Sequence, residues 1–319
     1  MKKSTKLWLI TATALILAGC IILMGVMVLL NWDFSKLSTH KYQTKEYAIG
    51  EDFKSIAVIT DTADIDFVVS EKCKVVCHEP ENATHTVTVN EGALTIKLTD
   101  ERKWYEYIGI NFDTPQITVY LPEGEYGDLS LSASTGDTNI PTGYTFSNIF
   151  IAKSTGHVTC SASSTGTIAV KATTGNILVE NTATANLDLS VTTGKVTVLG
   201  VTCRDDANIS VTTGDTDLTN LTCKNLISNG NTGDIDLKNV VASEKFSVTR
   251  STGDVEFDGC DAEEISVTTS TGDVEGTLLS EKVFMANADT GSIHVPKTVT
   301  GGKCEITTDT GDIRISLKQ

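Results

Sequence analysis

The chain has 319 residues, of which 40% are hydrophobic, 21% are charged and only 6% are aromatic. This composition is compatible with an ordered chain rather than a disordered one, and the scarcity of aromatic residues means that any core is built from Val, Ile, Leu, Thr and small residues. The formal net charge of −16 argues against nucleic-acid binding, because acidic surfaces repel phosphate backbones.

The N-terminal segment is basic and then apolar. Three lysines lie within residues 1–6, and residues 7–30 form an apolar run with two threonines as its polar interruptions. About 20 apolar residues suffice to cross a bilayer, and cleavable signal peptides have shorter apolar regions. We predict a cytoplasmic N-terminus at 1–6, a transmembrane helix in contact with membrane lipid at 7–30, and an extracellular remainder. Without the three lysines that remainder has 22 basic and 41 acidic residues, a net charge of −19.

A lipoprotein interpretation of the same segment stays open. The residues Leu-Ala-Gly-Cys at 17–20 resemble a lipoprotein cleavage box, with Cys20 as the residue that would be lipidated. A lipidated cysteine is usually followed by polar, flexible sequence, whereas apolar residues continue here from Ile21 to Leu30. The pattern therefore favours an uncleaved anchor.

Two segments connect the predicted span to the repeats. Residues 31–51 are polar and aperiodic, which predicts a short stalk. Residues 52–128 are predicted to form a degenerate first coil, with Ala63 at its corner, and then an N-terminal cap. The cap is expected to contain a hairpin with strands at 86–89 and 94–98, joined by Asn-Glu-Gly at 90–92. An aromatic stretch follows, made up of Trp104, Tyr105, Tyr107 and Phe112.

The last 190 residues contain a regular repeat. A triplet ending in Thr-Gly returns every 19 or 20 residues, and its glycines are Gly136, Gly156, Gly175, Gly194, Gly214, Gly233, Gly253, Gly272, Gly291 and Gly311. A fixed period of this length is typical of solenoids, in which each repeat stacks on its neighbours. We predict an all-β solenoid over 129–319, like a single-stranded β-helix, with about 10 coils stacked in chain order at about 4.8 Å.

Apolar residues recur at fixed positions around each glycine, which is numbered zero here. Positions −7, −5, +2 and +4 are mostly apolar, and the spacing of two within each pair indicates a strand on either side of the corner. A short return completes the coil and carries a partial ladder at +7, namely Val201, Leu221, Val240, Cys260 and Leu279. Glycine is expected at zero because a tight corner often needs positive φ.

Acidic side chains form the strongest chemical pattern. Positions +1 and +3 are predicted to point outward and to make two adjacent columns, which contain Asp215, Asp217, Asp234, Asp236, Asp254, Glu256, Asp273 and Glu275. Carboxylates about 5 Å apart repel one another and attract hard cations, which makes these columns a speculative Ca²⁺ face. The simpler interpretation is a solvated face that keeps an extended sheet soluble. The glycine-rich nonapeptide of calcium-binding β-rolls is absent from the sequence, so no metal ligand or cofactor is assigned.

The cysteines are expected to be mainly structural. Cys160 and Cys260 fall on inward positions, where a thiol packs as a small apolar group. Cys203 and Cys223 share position +9 in adjacent coils, so an extracellular disulfide between them is an open alternative. A group at Cys73, Cys77, His78 and Glu79 gives only a weak indication of metal binding.

The repeats and the N-terminus together resemble a known family. The lysine-flanked span, the Trp-Asp-Phe-Ser-Lys-Leu segment at 32–37 and the Thr-Gly-Asp-Ile/Val-Asp/Glu coils resemble the bacterial putative-adhesin family over nearly the whole chain. The resemblance implies a membrane-anchored β-strand-repeat protein of a family that is largely of unknown function and common in Gram-positive bacteria. It also implies that some relatives are encoded with envelope-stress systems. It carries over no catalytic residues.

These observations lead to two functional hypotheses. The five histidines fall into no recognisable triad or helical metal pair, so we predict that the protein is not an enzyme. The first hypothesis is a cell-surface adhesin-like binding or scaffold module whose flat sheet faces contact a cell-envelope component. The alternative is an accessory of envelope-stress signalling that acts through a membrane protein.

Overall fold

The structure is a computed structural model that describes residues 3–33, 41–104 and 113–318. Most of the Trp-Asp-Phe-Ser-Lys-Leu segment and most of the aromatic stretch, from Tyr105 to Phe112, lie outside the described residues.

The N-terminal segment forms one long apolar helix. Helix α1 spans Lys3–Leu29, and its part Thr5–Leu29, with a mean hydropathy of 2.6, is long and apolar enough to cross a membrane. Its polar interruptions are satisfied within the helix, because the hydroxyls of Thr11 and Thr13 donate to the carbonyls of Leu7 and Leu9 at 3.0 and 2.9 Å. Internal satisfaction of polar groups is what a lipid environment requires. The crossing and its orientation stay predictions.

The strands before Leu129 build the cap, the first coil and, with β8, the start of the ladder of return segments. They are β1 Tyr42–Ala48, β2 Ser55–Ile59, β3 Asp64–Val69, β4 Lys74–Pro80, β5 Ala83–Asn90, β6 Ala93–Asp100, β7 Gln116–Leu121 and β8 Gly124–Tyr126. The predicted hairpin is present as β5 and β6, which pair antiparallel around positive-φ residues Glu91 and Gly92. The polar segment predicted as a stalk requires a correction, because β1 lies within it and pairs antiparallel with β4.

The strands of the repeat region follow in regular order. They are β9 Leu129–Ala133, β10 Thr138–Ile140, β11 Tyr144–Phe146, β12 Ile149–Thr155, β13 Val158–Cys160, β14 Ser163–Ser164, β15 Thr167–Thr174, β16 Ile177–Glu180, β17 Ala183–Thr184, β18 Asn186–Thr193, β19 Val196–Cys203, β20 Asp206–Thr213, β21 Thr216–Thr232, β22 Ile235–Lys238, β23 Val241–Thr252, β24 Val255–Cys260, β25 Glu264–Thr271, β26 Val274–Leu278, β27 Lys282–Thr290, β28 Ile293–His294, β29 Gly302–Thr310 and β30 Ile313–Leu317.

Stacking of successive coils in register is confirmed through the middle of the molecule. Val255 lies opposite Ile235 on one side and Val274 on the other, as parallel strand partners. The strands before the corner form one long sheet face and those after it form a second. The return segments add a third, narrow parallel ladder that begins with β8, β11 and β14. Each complete coil, called a rung below, therefore has three short sides around one core.

The order of rungs at the C-terminal end differs from the chain order. Strand β25 pairs with β29 and not with β27, and β29 in turn pairs with β27, so the rung of Gly311 lies between those of Gly272 and Gly291. The rung of Gly291 is thus the outermost one, and its predicted inward residue Ile293 is 41% exposed. This rung includes Pro296, which has no N–H to donate, and proline is accommodated at a sheet edge. The period of the sequence predicts which residues form each rung, but it does not predict which rungs are adjacent.

The N-terminal end contains a similar departure. The predicted first coil is present as β2 and β3, and it stacks on the rung of Gly136. A further rung made of β6 and β7 lies outside it, and the antiparallel strands β4 and β5 cover that rung in turn. In the sequence, residues 101–115, which join β6 to β7, contain no Thr-Gly pair.

The core is a set of stacked ladders, and three cations are also buried among the described residues, namely Lys153, Arg250 and Lys282. Leu279 does not join the +7 ladder, because a register shift beside Gly259 pairs Cys260 with the buried Leu278 instead. Inward position −3 holds Lys153, whose ammonium donates to the carbonyl of Gly136. Position −3 of a later rung holds Arg250, which is also buried. The guanidinium of Arg250 donates to hydroxyls of Thr216 and Ser228 at 3.0 and 3.2 Å, in the space left by Gly230.

Candidate functional site

The glycine corners position both acidic columns. All ten predicted corner glycines have positive φ, between 117° and 154°. The corners are also closely stacked, since a Cβ added to Gly233 would lie 2.2 Å from the carbonyl oxygen of Gly214. Glycine is therefore required here for its backbone conformation and for the approach of the next rung. The residues at +1 and +3 follow immediately, with fixed spacing between rungs.

The +1 carboxylates are hydrogen-bonded to the backbone of the neighbouring rung. The Oδ1 atom of Asp234 accepts the N–H of Asp254 at 2.8 Å, Asp254 accepts the N–H of Asp273 at 2.7 Å, and Asp273 accepts the N–H of Asp312 at 2.8 Å. The Asp215–Asp234 contact, at 3.2 Å, belongs to the same series. We call residues 215, 234, 254, 273 and 312 the capping column, because each one satisfies a backbone donor.

The same bond occurs where position +1 is not acidic. The N–H of His157 donates to Asp137, and Nδ1 of His157 accepts the N–H of Asn176 at 3.1 Å. Asn176 Oδ1 then accepts the N–H of Lys195 at 3.0 Å. An aspartate, an imidazole and an amide thus occupy equivalent places. What position +1 supplies is a hydrogen-bond acceptor, and charge is secondary.

The +3 carboxylates form a different surface. Asp217, Asp236, Glu256 and Glu275 lie opposite one another in successive rungs, and we call them the acidic column. Lys195 Nζ lies 2.5 Å from Asp217 Oδ2 at one end. At the other end Arg314 Nη1 lies 3.3 Å from Glu275 Oε2. The pKa of Asp236 is raised, first by partial burial and then by the neighbouring carboxylates of Asp217 and Asp234.

This geometry reduces the number of predicted acids that are free to bind Ca²⁺. The structure brings all eight predicted acids together along neighbouring columns, but one oxygen of most capping-column residues already accepts a backbone hydrogen bond. The ends of the acidic column are neutralised by Lys195 and Arg314. The carboxylates best placed for a cation are therefore Asp236 and Glu256, in the middle of the acidic column.

A second surface, on the sheet before the corners, is nearly uncharged. Outward positions −6 and −4 from the rung of Gly136 to that of Gly272 hold Ser130, Ser132, Phe150, Ala152, Ala169, Lys171, Asp188, Ser190, Asn208, Ser210, Ile227, Asn229, Ser247, Thr249, Ser266 and Thr268. We call this set the neutral face. Phe150 is 44% exposed on it, beside a shallow depression of about 540 Å³. The scarcity of charge at −6 and −4 is the signal in the sequence that would have predicted this face.

The cysteines are free thiols in the described part of the chain. Cys203 and Cys223 are both buried, and Sγ of Cys203 lies 3.2 Å from the carbonyl oxygens of Ala185 and Asp206. Burial raises the pKa of Cys160 and of Cys223 to about 12, which keeps these thiols protonated. They act as small core residues, as predicted for Cys160.

The weak cysteine–histidine group of the cap is partly rearranged. Cys77 and Glu79 are buried, whereas His78 points to the opposite side of β4 and stacks on Tyr42 with ring centroids 5.2 Å apart. Cys73 is only half-buried. The predicted four residues therefore do not form one cluster.

Comparison with known proteins finds one matching family model and several similar solved structures. A family model described as Toastrack DUF4097 matches residues 53–215 and 201–319. Similar solved structures include a putative adhesin from Parabacteroides merdae, with 14% identity, a TM-score of 0.47 and coverage of 87% of this chain and 97% of that one. A putative adhesin from Parabacteroides distasonis has 12% identity, a TM-score of 0.47 and coverage of 75% and 98%, respectively. A putative lipid binding protein from the same species has 12% identity, a TM-score of 0.41 and coverage of 88% and 98%. A search of curated proteins finds no significant match.

Proposed function

The chain belongs to the Toastrack DUF4097 family, and from this premise we propose that it is a non-enzymatic, membrane-anchored binding or scaffold module of the bacterial cell surface. Its solenoid lies outside the cell and its N-terminus in the cytoplasm. Its partner is a component of the cell envelope.

The helix supports the membrane anchor. Most side chains of α1 are exposed, including Leu9, Ile16 and Leu23 at 53%, 66% and 57%. A continuous apolar helix surface without protein contacts is stabilised by lipid. The lysines that precede it favour a cytoplasmic N-terminus.

The neutral face is the observation that carries the binding role. Its hydroxyl and amide groups stand at fixed spacing on a rigid sheet, and they can exchange hydrogen bonds with a polymer rich in hydroxyl and amide groups. Phe150 supplies an apolar surface on which a sugar ring can pack. Because the rest of the exported chain is strongly acidic, an uncharged wall polymer fits this face better than an anionic one.

The connections support a non-enzymatic role. Within the described repeats the chain turns at tight glycine corners, and most strands are joined by a few residues. Catalytic and binding groups often lie on longer loops held by a rigid scaffold. The polar side chains of the neutral face are small hydroxyls and amides, which suit contact more than proton transfer.

Sedimentation with purified cell-wall sacculi tests the proposal. We expect the full-length protein, in detergent micelles, to sediment with sacculi. Ser190→Glu combined with Ser210→Glu should weaken binding about tenfold or more, because each unpaired carboxylate desolvated at the contact costs about 1–3 kcal/mol. Glu256→Gln, on the other sheet, is the matched control and should bind normally. Binding that is absent, or equal in all variants, contradicts the proposal.

The signalling alternative is favoured by one feature of the helix. Thr11, Ala14, Ala18 and Gly25 fall on one stripe of α1, and no atom lies within 4 Å of a Cβ added to Gly25. Small residues let transmembrane helices approach closely. Co-purification of an integral-membrane kinase or inhibitor that is lost with Ala18→Leu, without sacculus binding, would support this role instead.

A further inference from the structure

Three ligand-type side chains converge inside the N-terminal cap. Cys77 and Glu79 are two residues apart on β4 and so share its inner face, while His85 lies on β5 after the intervening turn. Their relative exposures are 0%, 0% and 3%. One ligand atom from each lies within 4.8 Å of the others. This arrangement joins two strands that the sequence separates by a turn.

Only one oxygen of the Glu79 carboxylate takes part in hydrogen bonds with the described residues. Its Oε2 atom accepts the backbone N–H of His85 and lies 2.7 Å from His85 Nδ1. Its Oε1 atom is buried and has no hydrogen-bond partner among the described residues. The ammonium of Lys45, on edge strand β1, lies 3.7 Å from Oε1, beyond hydrogen-bond distance. Lys45 therefore forms an ion pair with Oε1 but no hydrogen bond, and a cation bound directly to this buried oxygen would stabilise it further.

The imidazole is held in a fixed orientation. Nε2 of His85 lies 2.9 Å from the hydroxyl oxygen of Thr60, and Tyr47 donates its hydroxyl to the carbonyl of His85. Ligand histidines in metal sites are typically oriented by such a bond from the nitrogen that does not bind the metal. Nδ1, which faces Glu79, is then the nitrogen left to bind the metal.

We propose that Cys77, Glu79 and His85 form a binding site for a divalent transition metal of the Zn²⁺ class. A thiolate, an imidazole nitrogen and a carboxylate oxygen are the donors that Zn²⁺ takes in proteins, and three of them leave one position for water. A cleft of about 230 Å³, lined in part by Tyr42, Pro80 and His85, adjoins the cluster. The metal takes the place of the Nδ1 proton between His85 and Glu79, and this proton moves to Nε2, which then donates to the hydroxyl oxygen of Thr60.

Binding also changes the state of the thiol. Cys77 is a buried free thiol in the metal-free protein. A coordinating metal takes the thiolate, and one proton leaves to solvent. The bound metal would tie β4 to β5 and, through Thr60, to β2. It therefore acts as a clamp on the cap that covers the first rungs.

Cobalt substitution in the full-length protein, reduced and in detergent micelles, tests this site. We expect one Co²⁺ per chain with thiolate-to-metal charge-transfer absorption, displaced by Zn²⁺. Cys77→Ala should abolish the absorption, and Cys73→Ala, on the neighbouring half-buried thiol, should keep it. Thr60→Val should weaken Co²⁺ binding about 10–100-fold while keeping the charge-transfer band, because Thr60 acts only through His85.

Two further measurements keep the test decisive if a variant folds poorly. Zn²⁺ should raise the unfolding temperature of the wild type and of Cys73→Ala but not of Glu79→Gln or His85→Gln. X-ray absorption of the wild-type Zn²⁺ complex should show one sulfur ligand with nitrogen and oxygen ligands. Absence of a thiolate band at saturating Co²⁺, or a band unchanged in Cys77→Ala, overturns the proposal and leaves a metal-free Glu79–His85 pair.

Discussion

The capping column and the acidic column contain the same kind of side chain, two residues apart, and the structure gives them opposite roles. Asp254 accepts a backbone N–H at 2.7 Å, whereas Glu256 faces solvent beside other carboxylates. The capping column is part of the stacking mechanism of the fold. The acidic column is a surface property of the finished rod. Proximity to an unpaired backbone donor, and not residue type, decides which role a carboxylate has.

The largest expected effect comes from the corner that supports both columns. Gly233→Val should destabilise the protein by about 2–6 kcal/mol, from backbone strain of about 1–3 and overpacking of about 1–3 kcal/mol. The added Cβ would lie 2.2 Å from the carbonyl of Gly214, and that rung has to shift. Thermal unfolding of the full-length protein, followed by circular dichroism, measures the loss.

A second glycine separates the two sources of that effect. Gly92 also has positive φ, 76°, but no atom lies within 4 Å of its added Cβ. Gly92→Val should therefore cost only the strain component, about 1–3 kcal/mol. Equal losses in both variants would show that stacking of the corners contributes nothing.

Removal of one acid from each column tests the comparison directly. Asp254→Ala leaves the N–H of Asp273 without its acceptor and should cost about 0.5–2 kcal/mol, as for the loss of a helix N-cap. Asp254→Asn keeps an acceptor and should recover most of that loss. Glu256→Ala should change stability by less than about 0.5 kcal/mol, because it is a surface position. If the two alanine variants lose the same amount, the capping role is wrong.

Asp312 of the capping column and Asp236 of the acidic column should also respond to acid in opposite directions. The pKa of Asp312 is lowered, first by the hydrogen bond from the N–H of Ser292, so its contribution to stability is present at neutral pH and lost as the pH falls through that pKa. The pKa of Asp236 is raised, chiefly by partial burial, so its charged form is destabilising at neutral pH and the penalty disappears on acidification.

Unfolding of two asparagine variants at neutral pH and below about pH 3.9 measures this difference. Asp312→Asn should be less stable than the wild type at neutral pH, and Asp236→Asn should be more stable. Both differences should shrink in acid. The same sign for both variants at neutral pH would contradict the assignment of the columns.

The sequence predicted the register of the middle rungs because period and burial there agree: Val255 touches Ile235 and Val274. It did not predict that the rung of Gly311 lies inside that of Gly291, because each rung has two equivalent edges. Pro296 was the residue in the sequence that indicated an edge position for the rung of Gly291.

The candidate site was only partly predictable for a related reason. The acids were identified, but the hydrogen bond at +1 joins backbone and side chain from different rungs. The sequence did contain a signal for this hydrogen bond: Asp137, His157 and Asn176 all occupy position +1, and each side chain has a hydrogen-bond acceptor. His85 was missed because its contact with Cys77 depends on how two cap strands face each other.

The smallest expected effect is that of Ca²⁺ on the acidic column. With Lys195 and Arg314 neutralising the ends, only Asp236 and Glu256 are well placed to bind, so we expect a dissociation constant of about 10⁻⁴–10⁻³ M, as for weak extracellular sites. At a Ca²⁺ concentration equal to that constant, the gain in stability is only about 0.4 kcal/mol. Calorimetry should show a weak heat that Asp236→Asn with Glu256→Gln removes and Asp254→Asn preserves. If Asp254→Asn removes the heat equally, the capping column also supplies Ca²⁺ ligands. The two columns would then not differ in cation binding, although they would still differ in their hydrogen bonds to the backbone. The complete absence of heat would leave the acidic column as a solvated surface alone.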